Sequence, residues 1–117
     1  MNNRDQRLPK KEIIHRRRDF RDLFQRGRCW EGKFLRIYHL PAEGRHVGFS
    51  VPKRFGNAVH RNRVKRLMRE NYRKHRWQIH DCSIVMFAKS RAKQAGYLDI
   101  QNEIKGFLSE WGTVSKP

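Results

Sequence analysis

The chain has 117 residues and a formal net charge of +17, from 28 lysines and arginines against 11 aspartates and glutamates. A chain of this length supports one modest hydrophobic core, and its seven Phe, three Trp and three Tyr argue against a disordered basic tail. So large a charge of one sign destabilises a compact protein unless a polyanion neutralises it. A membrane span is excluded because no apolar run approaches about 20 residues.

The cysteines and the N-terminus bear on the compartment. Cys29 and Cys82 lie far apart in the sequence and match no zinc-binding spacing. We expect two reduced thiols, with one disulfide as the less favoured alternative. Residues Met1–Asp5 are polar and lack the apolar core of a signal peptide. These features predict a cytoplasmic protein. The polyanion that neutralises its charge is then nucleic acid or an acidic protein, and an anionic membrane surface is the weakest candidate.

A short amphipathic helix is the first predicted element. It covers Arg16–Arg26, because Phe20, Leu23 and Phe24 recur at i, i+3 and i+4. Gly27 follows directly and predicts the C-terminal stop of this helix.

Two strands are predicted next. Lys33–Leu40 and His46–Lys53 both alternate between apolar and polar side chains. Turn-forming residues occupy Pro41–Gly44 between them. The pattern therefore predicts a β-hairpin.

The second half of the chain predicts a long helix, a buried strand and a terminal helix. Asn57 is the expected N-cap of a helix that extends to about Lys74. The third strand lies within Asp81–Lys89, and its unbroken apolar run is typical of a central strand. Asp99 is the expected N-cap of the last helix. The apolar face of that helix comprises Ile100, Ile104, Phe107, Leu108 and Trp111.

The element order is α-β-β-α-β-α, which predicts an α+β fold in which helices cover a small sheet. We see no internal repeat or linker, so residues 1–117 are interpreted as a single domain. Residues 1–15 are polar and basic, and we expect them to be extended or flexible.

The long helix concentrates positive charge on one flank. On a helical wheel, one apolar stripe comprises Val64, Leu67, Met68 and Tyr72. Arg61, Lys65 and Arg69 lie along its edge, followed by Asn62 and Arg66. Between positions 53 and 76 there are ten lysines and arginines and a single acid, Glu70. A merely solvated face normally mixes charges, and like charges four residues apart repel. This face is therefore interpreted as the site that contacts a phosphate backbone.

The pattern of elements says less about the kind of nucleic acid. Strands flank the basic helix on both sides, which disfavours a helix-turn-helix. The aromatic signature of an RNA-recognition sheet is also missing from the sequence.

Several short motifs stand out in the sequence. Positions 48–54 read GFSVPKR, positions 56–59 read GNAV, and positions 61–66 read RNRVKR, followed by Arg69-Glu70. Upstream are Arg17-Arg18-Asp19-Phe20, Phe24 and Gly27. In order and spacing, these motifs resemble the bacterial ribonuclease P protein subunit, and the resemblance covers nearly the whole chain.

The resemblance implies a four-stranded sheet with a left-handed β-α-β crossover, a rare hand. The fourth strand would lie between the first helix and Lys33, or pair beside Lys53. One departure from the family pattern is Pro52, which stands where a small polar residue is common. Since proline removes a ladder hydrogen bond, this departure bears on the path of the chain leaving that strand.

The family resemblance also implies a function. Such a subunit is a protein cofactor for ribonuclease P RNA, which performs metal-assisted removal of the 5′ leader from precursor tRNA. The catalytic centre is then in the RNA, with no catalytic residue in this chain and no DNA partner. Mg²⁺ is expected to be held mainly by RNA phosphates, with Asn62 a weak candidate for organising a hydrated ion. Self-association without RNA stays open.

Two groups of residues are assigned on this basis. The expected RNA-binding residues are Lys53, Arg54, Arg61, Asn62, Arg63, Lys65, Arg66 and Arg69. Arg63 lies on the opposite flank, so it is alternatively a tie to Glu70 or to the sheet. The expected leader-binding cleft comprises Phe20, Phe24, Tyr38, Arg36, Lys89 and Arg17.

Two alternatives compete with this assignment. A small ribosomal protein or another structural RNA-binding protein has similar size and charge. A protein-only ribonuclease would need paired acid–base groups. The six histidines lie in separate contexts in the sequence, and each is interpreted as a surface residue or a phosphate contact: His15, His39, His46, His60, His75 and His80.

Overall fold

The computed structural model describes residues 7–112, with side chains up to position 110. Within this range the chain forms four strands and three α-helices. The strands are β1 (Arg28–Glu31), β2 (Leu35–Pro41), β3 (Arg45–Ser50) and β4 (Cys82–Ala88). The helices are α1 (Arg17–Arg26), α2 (Ala58–His75) and α3 (Tyr97–Phe107), and short 3-10 turns join several of these elements. The α+β class is confirmed.

The four strands form one mixed sheet in the order β1-β2-β4-β3. β1 and β4 each pair antiparallel with β2, and β3 pairs parallel with β4. The interior position expected for β4 is confirmed. The fourth strand is β1, which lies at the first of its two expected positions, between α1 and Lys33. β3, α2 and β4 form the β-α-β unit, and its hand stays a prediction.

The predicted hairpin between Lys33–Leu40 and His46–Lys53, which correspond to β2 and β3, is wrong. β4 lies between β2 and β3, and the tight turn instead joins β1 to β2, where Gly32 N–H donates to the Leu35 carbonyl at 2.8 Å. The physical reason is burial: β4 is apolar on both faces, so it is most stable with a partner strand on each side.

β3 is also shorter than the predicted strand. It ends at Ser50, and a 3-10 turn over Lys53–Phe55 leads to α2. Pro52 has no N–H to offer to a sheet ladder, which accounts for the early end.

The hydrophobic core lies between one face of the sheet and helices α2 and α3. The sheet contributes residues such as Ile37 and Met86, which are almost fully buried. α2 contributes Val64 and Met68, and α3 contributes Ile104, all equally buried. The apolar stripes predicted for these two helices therefore both face the core. The side chain of Trp111, predicted on the same stripe of α3, lies outside the described residues.

The helix ends follow local hydrogen bonding. Asn57 is the N-cap of α2, and its side-chain oxygen accepts from the His60 N–H at 3.0 Å. Asp99 is not the N-cap of α3 as predicted, because the helix begins one turn earlier, after Gly96. The Asp99 carboxylate instead accepts the Gly96 N–H at 2.8 Å.

Gly27 ends α1 as predicted, but for a different reason. Its φ is −74°, an ordinary value, so no left-handed turn is involved. A Cβ at this position would lie 2.5 Å from the Leu23 carbonyl oxygen, which only glycine avoids.

The segment before α1 is attached to the sheet and to α2. Ile14 N–H donates to the Val47 carbonyl at 2.8 Å, which covers the outer edge of β3. Glu12 is buried and forms an ion pair with Arg76, while the Tyr72 hydroxyl donates to it at 3.0 Å. Burial opposes the ionisation of Glu12, but the hydrogen bonds from Arg76 and Tyr72 prevail and hold its pKa below the usual range.

Two further observations bear on the sequence-based expectations. Cys29 is exposed, Cys82 is buried, and both are free thiols. Among the described residues, no helix combines the length and the apolar character that crossing a membrane requires.

Candidate nucleic-acid interface

The sheet face opposite the core is only partly covered. Alternation along the strands places Arg36 and Tyr38 of β2, Phe87 of β4 and Gly48 of β3 on this face. Helix α1 packs across β2 and β4 and leaves the Arg36–Phe87 end open. We call this open end and the adjoining side of α1 the cleft.

Aromatic rings form the floor and one wall of the cleft. The Phe24 ring lies 6.5 Å from Phe20, 4.9 Å from Tyr38 and 6.2 Å from Phe87, measured between ring centroids. Phe24 is 37% exposed, so part of its ring is available to a ligand. The structure therefore brings together the three aromatics predicted from the sequence.

Phe87 is a cleft residue that the sequence interpretation missed. The uniformly apolar run of β4 hid the fact that its odd-numbered residues face α1 rather than the core. Phe87 is assigned to the cleft by its pairing with Arg36 on the neighbouring strand, and no local sequence pattern reveals that pairing.

Cations surround the open end of the cleft. A cavity of about 280 Å³ is lined there by Arg36, Arg54, Phe87, Lys89, Ser90 and Arg91. Arg36 and Lys89 both pair with Glu31, and Lys89 also donates to the Gly32 carbonyl at 2.8 Å. These contacts fix the two side chains beside the aromatic floor. Ser90 and Arg91 were not predicted, although they directly follow Lys89 in the chain.

Arg17 lies at the start of α1, where it is exposed. It precedes Phe20 and Phe24 by three and seven residues, so all three occupy one side of the helix. Arg17 is therefore on the side of α1 that adjoins the cleft, and its role there stays a prediction.

A larger cavity, of about 460 Å³, lies on the other side of α1. Asp19 and Asp22 line it together with the apolar wall of Leu23. Asp22 pairs with Arg26, and Arg16 and two histidines also line the cavity, so its charge is mixed. No Phe, Tyr or Trp ring of the described residues lines it, so it offers no surface for stacking a base and is not part of the candidate interface.

Helix α2 presents the predicted cations in three different ways. Asn62, Arg66 and Arg69 are exposed, and Lys65 is half-buried at the edge of the apolar stripe. The Arg69 guanidinium also lies over the Phe49 ring, 5.8 Å from its centroid. Arg61 donates to the Gly56 carbonyl at 2.7 Å, which fixes its side chain at the beginning of the helix.

Arg63 has a structural partner. It donates to the Ala95 carbonyl at 2.8 Å, so it ties α2 to the segment before α3. Glu70 pairs with Arg73 at 2.6 Å rather than with Arg63. The alternative that Arg63 is a tie therefore has support, although neither suggested partner was the right one.

Lys53 and Arg54 connect the two regions. Both are exposed on the 3-10 turn between β3 and α2, and Arg54 also lines the cavity at the cleft. A ligand that contacts these cations in turn can extend from the cleft to α2. The 3-10 turn between them contains no acidic residue.

The histidines occupy different surroundings in the structure. His75 is buried, with its Nδ1 2.8 Å from the Asn71 carbonyl oxygen, so the prediction of a surface position is wrong for this residue. His39 is half-buried, and burial together with the nearby Arg28 lowers its pKa. In the part of the chain that the structure describes, no three metal-ligating side chains cluster.

A four-stranded mixed sheet with one face open, bordered by a helix with cations along its flank, defines a class: small basic α+β proteins shaped to bind a polyanion. The family model of ribonuclease P matches residues 8–112. A ribonuclease P protein component from Alkaliphilus metalliredigens is 36% identical over 107 residues, covering 87% of this chain and 95% of that protein. One from Staphylococcus carnosus is 35% identical, covering 81% and 85%. The chain therefore belongs to the ribonuclease P protein family, and is a component of an RNA-processing enzyme.

Solved structures agree with this assignment. A Staphylococcus aureus ribonuclease P protein mutant with defective mRNA degradation activity superposes with a TM-score of 0.79 at 31% identity, covering 86% of this chain and 88% of that one. The ribonuclease P protein from Thermotoga maritima shares the fold, with a TM-score of 0.75 at 22% identity, covering 85% and 96%. The family recognised from the sequence motifs is confirmed.

Proposed function

We propose that this chain is the protein cofactor that binds ribonuclease P RNA through α2 and the 5′ leader of precursor tRNA through the cleft. The observation that carries the proposal is the continuity of the two surfaces: Arg54 lines the cavity beside Phe87 and is also the neighbour of Lys53 at the approach to α2. One protein can therefore hold the substrate leader while it is anchored on the catalytic RNA.

The chemistry of the cleft suits a single-stranded leader. Bases stack on aromatic rings regardless of sequence, at about 1 to 3 kcal/mol per base. Phe24 offers a partly exposed ring, and Arg36 lies over Phe87 with its guanidinium carbon 5.9 Å from the ring centroid. Lys89 and Arg54 then supply the charge for backbone phosphates. Such a site binds leaders of many sequences.

The chemistry of α2 suits a folded RNA. The exposed Arg66 and Arg69 lie beside Lys65 on a rigid helix of 18 residues, so their charges keep a fixed spacing. Fixed cations of this kind fit phosphates of a folded strand, and each neutralised phosphate releases counterions.

The hydrolytic step belongs to the RNA in this proposal. Metal-assisted cleavage by a protein uses carboxylates that are free to hold metal ions. Here the best-placed acids already have partners: Asp22 pairs with Arg26, Glu31 with Lys89, and Glu70 with Arg73. Glu103 accepts three backbone N–H groups at the β1–β2 turn. Because these carboxylates already have ion-pair or hydrogen-bond partners, they support a binding role for the chain.

Mg²⁺ enters the proposal as a partner of the RNA. Asn62 is exposed on α2 and offers a single amide oxygen, and among the described residues no three His, Cys, Asp or Glu side chains cluster to hold a metal ion. Mg²⁺ retains most of its water and favours phosphate oxygens. The side chain of Asn62 therefore fits a hydrogen bond to RNA or to a water of a hydrated ion.

Precursor tRNAs with successively shortened leaders test the proposal. The holoenzyme reconstituted with this protein should bind long-leader substrates more tightly than the RNA subunit alone does. That advantage should disappear when the leader becomes too short to reach the cleft, because mature tRNA has nothing to place there. An equal gain in affinity for mature tRNA would contradict the assignment of the cleft.

A further inference from the structure

Trp77 is an exposed aromatic side chain that neither the core nor the cleft uses. It lies in the 3-10 turn Arg76–Gln78 that follows α2, and 67% of its surface is exposed. Two guanidinium groups lie against the indole: the carbon of Arg76 is 4.3 Å and that of Arg45 is 5.2 Å from the ring centroid. With two thirds of its surface accessible, the ring offers an open area to a ligand.

Both guanidinium groups are held in place by contacts with groups on the side that faces the protein interior. The buried carboxylate of Glu12 accepts from Arg76 Nε at 3.1 Å and pairs with Arg76 Nη2. Glu12 also lies 3.9 Å from Arg45 Nη2, and Arg45 Nη1 donates to the Ile79 carbonyl at 3.3 Å. The side chains of Arg45 and Arg76 are only 21% and 6% exposed. The indole therefore rests on an immobile support, which lowers the entropy cost of stacking a ligand on it.

The surroundings of Trp77 select an anionic ligand. The segments that meet here expose Lys10 and Lys11 next to Glu12. The exposed acids nearest to them in the chain are Glu43 and Asp81, while the charge of Glu12 is already neutralised. A rigid aromatic ring among cations is the arrangement by which proteins bind unpaired bases of a nucleic acid.

The position of Trp77 separates it from the leader cleft. Arg45, which touches the indole, pairs with Cys82 at the beginning of β3 and β4. The cleft lies at the other end of the same strands, where Ser50 pairs with Phe87. Six residues of strand separate the two ends by about 17 Å. Trp77 therefore lies outside the cleft, and a base stacked on it makes a contact separate from the aromatic floor of the cleft.

We propose that Trp77 is a stacking platform for an unpaired base of ribonuclease P RNA, a second contact with that RNA beyond the cations of α2. The inference rests on the proposed function. The platform adds what a row of cations lacks, because it holds a base where a loop or bulge exposes one, and so fixes the position of the protein on the RNA.

The test measures the affinity of the full-length protein for ribonuclease P RNA alone, by filter binding, and its tryptophan fluorescence during the same titration. Trp77→Ala should weaken binding about tenfold, the loss of one stacked base, and Trp77→Phe should retain most of the affinity. Subtracting the Trp77→Phe signal from that of the wild type isolates the indole, whose fluorescence should be quenched by the RNA. Leu98→Ala is the matched control, since Leu98 is 66% exposed on α3 and should bind normally.

Three results would overturn the inference. Equal affinity of Trp77→Ala and wild type for the RNA would contradict the stacking platform. An indole that is not quenched by the RNA would contradict it too, and this second measurement does not depend on the folding of the alanine variant. A loss seen only with precursor tRNA would assign Trp77 to the substrate. Failure of the wild type to bind the RNA would instead refute the proposed function itself.

Discussion

The Phe20 ring is held in the cleft by β3 as well as by its own helix. A Cβ on Gly48 would lie 2.7 Å from two carbons of the Phe20 ring and 3.4 Å from Ile14. The ring therefore rests directly on the backbone of β3, and the missing side chain of Gly48 determines how deep the cleft is. At the scale of single residues, the proposed binding of the leader depends on contacts such as that between the Phe20 ring and the backbone at Gly48.

Phe20→Ala should weaken binding of precursor tRNA by the holoenzyme about tenfold, the contribution of one stacked base, and leave mature tRNA unaffected. Equilibrium binding of the two RNAs to the reconstituted enzyme measures this difference. A similar loss for both RNAs would remove Phe20 from the leader site.

Gly48→Ala should change the cleft without unfolding the protein. The new methyl group displaces the end of the Phe20 side chain, which can rotate, so binding of leader-containing substrate should weaken several-fold while the circular dichroism spectrum is retained. Gly96→Ala is the control, because a Cβ there meets nothing closer than Asp99 Oδ2 at 3.9 Å. Unchanged leader affinity in Gly48→Ala would show that the position of the ring does not matter.

At the scale of elements, the segment before α1 is fastened to α2 by the buried contacts of Glu12. Arg76 and Tyr72 both donate to its carboxylate, and Ile14 bonds to β3. These contacts set the direction from which the chain enters α1, and so the place of Phe20 over the sheet. The same contacts support Trp77.

The contacts of Glu12 predict a pH dependence of stability. Because the folded protein holds the pKa of Glu12 below its ordinary value of 4.5, the stabilisation is complete above pH 4.5 and is lost as the pH falls through the lowered pKa. Glu12→Gln should reduce the free energy of unfolding at neutral pH by about 3 kcal/mol, as expected for breaking a buried ion pair.

Urea unfolding of the two proteins across the acid range measures this effect. The gap between wild type and Glu12→Gln should narrow as Glu12 of the wild type becomes protonated. A difference in the free energy of unfolding that is the same at every pH would mean that the charge of Glu12 contributes nothing to stability.

Elements with a strong local pattern could be predicted from the sequence. The helical spacing of Phe20 and Phe24, the N-cap at Asn57 and the apolar run of β4 each determine a structure within a few residues. The partner of β3 could not be predicted, because strand pairing depends on contacts between distant segments. The same limit hid Phe87, which joins the cleft only through its pairing with Arg36, and the support of Trp77, which depends on the distant Glu12.

At the scale of the whole molecule, the net charge of +17 acts together with the shape of the sheet. The exposed cations of α2, the turn at Lys53 and Arg54, and the cleft are continuous, so the charge is directed toward RNA. The same charge repels a second copy of the chain, and sedimentation of the RNA-free protein would show whether it self-associates.

Binding to ribonuclease P RNA should depend strongly on salt. About six phosphate contacts give a slope of roughly −4 to −5 in a plot of log affinity against log salt concentration. Removing the exposed Arg66 or Arg69 by alanine substitution should reduce the magnitude of the slope by about one each. A nearly flat dependence for the wild type would contradict the assignment of α2 as a phosphate-binding helix.

The central claim is that this chain assists an RNA catalyst. The most direct measurement is the rate of precursor-tRNA cleavage by a bacterial ribonuclease P RNA as a function of Mg²⁺ concentration, with and without the protein. We expect the protein to lower the Mg²⁺ concentration required for cleavage at the mature 5′ end, and to cleave nothing in the absence of the RNA. An unchanged Mg²⁺ requirement, or specific cleavage by the protein alone, would contradict the account.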